Sequence, residues 1–294
     1  MSDAQFLFGQ FLGGITTAMF LFLIASGLSL IFGVLRVLNF AHGSFYMIGA
    51  YLAWQMVHSI GPGPGAFWFA VLGAAGSVAL LGVVIERLLL RHLYGREDLY
   101  QLLFTYALVL VLADAAKLLW GTQQLSVQRP GILDGALRLF GVIVPHYNLF
   151  IMVLGPAIAL SVWLVLYRTH IGRMIRAAAL DREMLGALGA DVGRLYTIMF
   201  GVGSFLAGLA GGLVTPVKTV VPGMDVEIII EAFVVVVIGG LGSLWGTVIG
   251  ALIYGQFLSF GILVFPRFSI FAVFALMAII LIIRPWGLLG RPLR

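Results

Sequence analysis

Apolar runs of about 20 residues follow one another along almost all of this chain, each long enough to cross a bilayer as a helix. They fall at 6–33, 40–58, 66–86, 99–120, 147–167, 195–216, 226–242, 244–262 and 268–284. Apolar residues within them are continuous and do not alternate, which excludes the strand pattern of a transmembrane barrel. Of 294 residues, 62% are hydrophobic and 10% charged, whereas soluble domains carry about a quarter charged residues. There is too little polar surface to cover a soluble globule. The expected fold is all-α: a polytopic membrane protein of about nine segments (roughly eight to ten), with one transmembrane domain over 1–294. The short run at 226–242 ends in Gly239-Gly240-Leu241-Gly242 and reads as a full or a re-entrant crossing.

The arginines suggest an orientation. Arg36 follows the first run; Arg87, Arg91 and Arg96 follow the third; Arg168, Arg173, Arg176, Arg182 and Arg194 follow the fifth; Arg284, Arg291 and Arg294 follow the last. Basic residues collect in cytoplasmic connections, so the N-terminus is expected outside and the C-terminus in the cytoplasm. The net charge of +5 is accounted for by these loops and does not point to nucleic acid. Met1-Ser2-Asp3 lacks a basic leader, so the first run is expected to be a retained span. Gly61-Pro62-Gly63-Pro64-Gly65 is a turn signal, and 121–146 is expected to be the largest external loop. There are no cysteines, so thiol chemistry and cysteine metal sites are excluded.

Polar residues interrupt the apolar flow at a few places. Asn39-Phe40-Ala41-His42-Gly43-Ser44 stands just past Arg36. Its side chains can hydrogen-bond, and Gly43 permits non-helical backbone. A broken helix near 39–44 lining a cavity is one reading; a membrane-edge turn capped by Asn39 is the other. Glu227 and Glu231 share a helical face and lie near the outer interface, line a wet vestibule, or pair with Lys218. Asp114 and Lys117 can pair with each other. Glu86 beside Arg87 reads as an interface charge. Gly242, Gly246 and Gly250, like Gly208 and Gly212, lie four apart, as in closely packed membrane helices.

The longest polar stretch is 168–194. Ile171, Met174, Ile175, Ala178, Leu185 and Leu188 recur at roughly helical spacing, with charges between them. One or two short surface helices are expected, with Asp181 capping the second, Asp191 capping the next span, and turns at Gly172, Gly186 and Gly189. Such a helix can lie on lipid, or its alanines at 177–179 can dock in a protein groove. The two lysines, Lys117 and Lys218, do not follow glycine, so the chain has no phosphate-cradling Gly-x-x-x-x-Gly-Lys-Ser/Thr loop. His-Glu-x-x-His and Gly-x-Ser-x-Gly are also absent, leaving no catalytic or metal-ligating set. One reading is then that a cytoplasmic partner supplies energy through the loop. The other open reading is a stand-alone channel or ion-coupled transporter using Glu227, Glu231, Asp114 and Lys117 as charge relays.

The chain resembles the permease subunits of branched-chain amino-acid (Liv-type) ABC importers over nearly its whole length. The likeness rests on Gly33-Val34 through Asn39-Phe40-Ala41-His42-Gly43, then Met47-Ile48-Gly49-Ala50-Tyr51. It continues in Gly172-Arg173, Arg176-Ala177, Asp181 and Leu188-Gly189, in Gly239-Gly240-Leu241-Gly242-Ser243 with Gly246, Gly250 and Ala251, and in Arg284-Pro285-x-Gly287-Leu288-x-Gly290. The Asn-Phe-Ala-His-Gly element resembles the shorter of two permease types that pair. Ser44 stands where an acidic residue is a common variation. The resemblance implies a permease without enzymatic activity or cofactor in a bacterial inner membrane, carrying branched-chain amino acids or related amides, urea or organic acids. It implies a second related permease (a heterodimer), two cytoplasmic ABC ATPases and a periplasmic binding protein. Asn39, His42 and Ser44 are then expected near the substrate path, and Arg173, Arg176, Asp181 and Gly189 in the ATPase-coupling loop, where a carboxylate such as Asp181 would orient Arg176.

Overall fold

The computed structural model describes residues 3–61, 63, 65–264, 266 and 268–290. Pro62, Pro64, Arg291 and Arg294 lie outside the described residues. Every apolar run is helical: α1 (Asp3–Leu35), α2 (Ala41–Ile60), α3 (Ala66–Leu88), α4 (Asp98–Trp120), α5 (His146–Arg168), α8 (Val192–Val214), α9 (Met224–Gly239), α10 (Leu244–Val264) and α11 (Ser269–Ile283). The polar stretch adds α6 (His170–Leu180) and α7 (Arg182–Ala187). Among the described residues six helices, α1, α3, α4, α5, α8 and α10, are long and apolar enough to cross a membrane, so the protein is a multi-pass membrane protein. The 16 residues of α9 extend only about 24 Å by helical rise, short of the roughly 30 Å core.

Among the described residues the fold departs from all-α at one place. Ala136–Leu139 (β1) and Val142–Pro145 (β2) pair antiparallel within the connection before α5. Phe140 and Gly141 both have positive φ (49° and 86°), the two-residue turn whose twist suits a tight hairpin. Leu125 forms an isolated bridge with Val220, tying this connection to the segment before α9.

Burial separates an inner group of helices from an outer one. The apolar windows of α1 and α8 are each 78% buried, against 17% for α5 and 28% for α4. Helices in lipid gain little from hydrophobicity when they associate, so close approach of small residues carries the packing. A Cβ on Gly49 would stand 2.6 Å from the Gly208 backbone, and one on Gly33 would stand 3.1 Å from Gly242 Cα. Gly212 lies against Val71 and Ala53, and Gly246 and Gly250 meet Gly239 and Val235 backbone atoms. The four-residue glycine spacing is thus used inside the chain.

The break after α1 decides where α2 begins. Arg36 has φ 56°, residues 36–40 are not helical, and α2 starts at Ala41. Asn39 does not cap it: the N-cap residue is Phe40, with no side-chain cap. His42 Nε2 lies 3.0 Å from the Ile24 carbonyl oxygen, which is about 16 Å back along α1 from Leu35. Residues 36–40 therefore double back beside α1, and α2 starts at depth within the bundle. The break thus precedes 41–44, which form the first turn of α2.

The last two resemblance motifs meet in space. Leu288 N and Leu289 N donate to Ile238 O and Gly239 O, each at 2.9 Å, closing the C-terminus of α9. Gly240 (φ 107°) sits against Gly290, whose Cα lies 2.6 Å from where a Cβ would be. Gly240→Ala is expected to destabilise the fold by about 1–3 kcal/mol, from the left-handed backbone and the clash together. A fall in the thermal unfolding midpoint in detergent checks this; an unchanged midpoint refutes it.

Candidate functional site

Two features outside ordinary packing stand out: a buried polar junction between the N-termini of α2 and α9, and the α6–α7 loop. At the junction the two backbones touch. A Cβ on Gly43 would overlap the Asp225 carbonyl oxygen and stand 2.9 Å from Ile229 Cβ. Ser44 Oγ donates to Asp225 Oδ2 at 2.9 Å, and Asp225 is 1% exposed. Among the described residues the one ion pair is Lys117–Asp114, at 2.9 Å, so no cation neutralises Asp225. The first turns of α2 and α9 offset part of the cost of that charge, up to about 2 kcal/mol in buried geometry. Asp225 Oδ1, both Asn39 side-chain atoms and His42 Nδ1 are buried without a hydrogen-bond partner.

The three residues singled out at this break thus have different surroundings. Ser44 reaches α9, His42 reaches α1, and the Asn39 side chain is buried and unpartnered. Asp225 was missed. Its sequence signal is an acid at the head of a short apolar run, beside Glu227 and Glu231, which share a helical face. Glu227 is exposed and Glu231 is half-buried. Glu231 lies close to Tyr254 of α10. Lys218 makes no ion pair with either.

Glu86 is a correction. It is fully buried, not an interface charge, and accepts hydrogen bonds from Thr197 Oγ1 at 2.7 Å and Tyr94 Oη at 3.1 Å. Burial first, and then the Glu86 charge, push the Tyr94 hydroxyl above its ordinary range, which keeps it a donor. The contact ties the end of α3 to the first turns of α8.

The loop forms as its capping residues predict. Thr169 Oγ1 accepts from Gly172 N at 3.0 Å at the start of α6. Asp181 Oδ1 accepts from Glu183 N and Met184 N at the start of α7. Asp191 Oδ1 accepts from Arg194 N at 2.8 Å ahead of α8. Gly189 turns the chain with φ 86°, while Gly172 and Gly186 are helical. Arg176 does not engage Asp181, whose near oxygen is used by the cap. Its guanidinium donates to Leu166 O and lies 4.8 Å over the Tyr167 ring, fastening α6 to the end of α5. Arg173 is exposed.

The buried face of α6 is Gly172, Ile175 and Ala178, so Ala178, at the centre of the alanine run, faces inward and is not a docking surface. The most exposed apolar residues of the loop are Leu180, Met184 and Leu188, 75%, 59% and 78% exposed, with Ile171 at 43%. The first three lie four apart along the loop, outside the apolar runs. Sequence periodicity groups Leu188 with the inward Leu185; the end of α7 at Ala187 and the turn at Leu188 and Gly189 separate them.

Comparison with known proteins decides the family. A model of the branched-chain amino acid transport system permease component matches residues 10–283. The chain belongs to this permease family. It is 30% identical over 293 residues to the high-affinity branched-chain amino acid transport system permease protein BraD of Pseudomonas aeruginosa, covering 96% of this permease and 95% of the relative. It is 28% identical over 309 residues to LivH of Escherichia coli K12, a permease protein of the same kind of system, covering 98% and 97%. Against the LivM permease protein of the same organism it is 27% identical over 297 residues, which is 93% of this permease but 68% of LivM. The permease thus matches the shorter type end to end. No solved structure matches it.

Proposed function

We propose that this chain is the membrane subunit of an ATP-driven ABC importer. It forms half of a path for branched-chain amino acids or related small polar solutes, without covalent chemistry of its own. In this reading its nine apolar helices cross or enter a bacterial inner membrane, with the N-terminus outside and the 168–194 loop in the cytoplasm. A second related permease completes the path, two ABC ATPases grip the loops, and a periplasmic binding protein delivers the solute. Family membership together with relatives named for branched-chain amino acid transport supports the cargo class.

One observation carries the docking role: α6 is fastened inward while Leu180, Met184 and Leu188 stand exposed in a stretch with no apolar span of its own. Exposed apolar side chains gathered on one short polar segment suit a groove on a partner. Asp181 and Gly189 set the start and end of α7, Arg176 locks α6 to α5, and Arg173 offers a charge to the partner. Asn39, His42 and Ser44, with Asp225, lie by the path at the meeting of two helix N-termini, where transporters place binding groups.

Reconstitution tests the reading. The chain alone in liposomes is expected to pass no solute; with its ATPases, second permease and binding protein it is expected to import leucine on ATP. Unaided uptake would favour the channel reading. Replacing Leu180, Met184 and Leu188 together by serine should lower ATPase co-purification at least about tenfold, since losing three exposed apolar contacts removes several kcal/mol. Undiminished co-purification would remove the loop from the interface.

A further inference from the structure

The break between α1 and α2 does more than redirect the chain. Arg36 is a non-glycine residue with φ 56°, a conformation that costs about 1–3 kcal/mol and persists only where the surroundings demand it. Its neighbours Leu35 and Val37 are buried, at 5% and 2% exposure, and so cannot rotate outward. This arrangement turns the Arg36 side chain away from the bundle and toward the loop. There Arg36 Nη2 donates to Ala179 O at 3.4 Å. Ala179 lies in the last turn of α6, where carbonyl oxygens lack intrahelical donors and a cation is favoured.

We propose that Arg36 is the tether through which the 168–194 loop sets the position of α2, a positioning residue for coupled transport. The proposal rests on reading that loop as the ATPase-docking element. Four residues separate Arg36 from the first turn of α2. They are held at Val37 and Asn39 by burial and at Leu38 by Thr105 Oγ1, which donates to its carbonyl at 3.3 Å. Beyond them are His42 on α1 and Ser44 on Asp225. A displacement of α6 therefore reaches the buried junction through Arg36 and this short segment. A cavity of about 450 Å³, walled by Arg36, Ala178, Leu180, Asp181, Arg96 and Gln101 among others, lies beside the contact. It leaves room for α6 to shift against the α1 end without a clash.

The test is the ratio of ATP hydrolysed to leucine imported by the complete importer in proteoliposomes, for the wild type and for Arg36→Gly, Arg36→Ala and Arg36→Lys. Glycine accepts φ 56° freely, so Arg36→Gly removes the side chain and keeps the backbone. It is expected to raise the ratio about fivefold or more, the low end of site–site coupling, with the ATPases still bound. Arg36→Lys, which keeps a donor, is expected to recover part of the loss.

Hydrogen exchange supplies a second readout. Nucleotide-dependent protection at 37–44 should vanish in Arg36→Gly while that at 170–187 remains. A wild-type ratio in Arg36→Gly overturns the tether, and more so if Arg36→Ala is impaired, because backbone conformation alone would then matter. Loss of bound ATPase in Arg36→Gly also overturns it, by making Arg36 a docking contact. A wild-type complex without ATP-driven uptake would instead defeat the importer reading itself.

Discussion

Gly49→Ala is expected to cost this protein more stability than an ordinary overpacking mutation, although it adds one methyl group. The new Cβ would stand 2.6 Å from both Cα and O of Gly208. These are backbone atoms of α8, so no side-chain rotamer can relieve the overlap and α2 must move away from α8. Overpacking with flexible neighbours costs about 1–3 kcal/mol; here the expected loss exceeds about 3 kcal/mol. The shift would also pull on the α2–α8 crossing at Gly211, where a Cβ would overlap the Tyr46 carbonyl oxygen. Gly76→Ala in exposed α3 is the control, since nothing lies within 4 Å of its Cβ position. That change should be neutral or stabilising by about 0.5–1 kcal/mol, through helix propensity. Thermal midpoints of the two variants in one detergent check the contrast. Equal midpoints would mean that α2 and α8 are not in backbone contact.

Ser44→Ala should damage the protein more than the paired change Ser44→Ala with Asp225→Ala. The single change leaves the Asp225 carboxylate buried with neither oxygen hydrogen-bonded by a side chain. A hydrogen bond to a charged group contributes about 1.5–3 kcal/mol, and an orphaned buried charge costs more than a removed one. The double change deletes the charge together with its donor. Stability is read from unfolding midpoints for the four corners of the cycle, and a coupling of about 1 kcal/mol or more is expected. Additive losses would mean that the hydrogen bond contributes nothing. If the junction also borders the path, leucine uptake by the assembled importer falls in the double variant even where its stability has recovered.

Much of this architecture was legible in the residues. Each apolar run became a helix because, without water, only helical backbone satisfies its own hydrogen bonds. Asp181 and Asp191 capped as expected because capping is decided within four residues. The family motifs were recognisable because their glycines mark places where backbones touch. Other features were hidden. The roles of Ser44 and Asp225 could not be paired by inspection across 181 residues. Glu86 reads as an interface charge from sequence because its donors, Thr197 and Tyr94, come from other elements. The β1–β2 hairpin was too short to show a period beside the apolar runs that flank it.

The amino-acid order alone determined the membrane class, the helical runs, the capped loop and the lack of a Gly-x-x-x-x-Gly-Lys-Ser/Thr motif, since these follow from local hydropathy, hydrogen bonding and spacing. Tertiary structure alone decided that α2 starts at depth beside Ile24, that Arg36 reaches Ala179, and that the loop turns Leu180, Met184 and Leu188 outward while Ala178 faces in. Those outcomes depend on which distant backbones come within van der Waals contact, a matter of three-dimensional packing that no local pattern encodes.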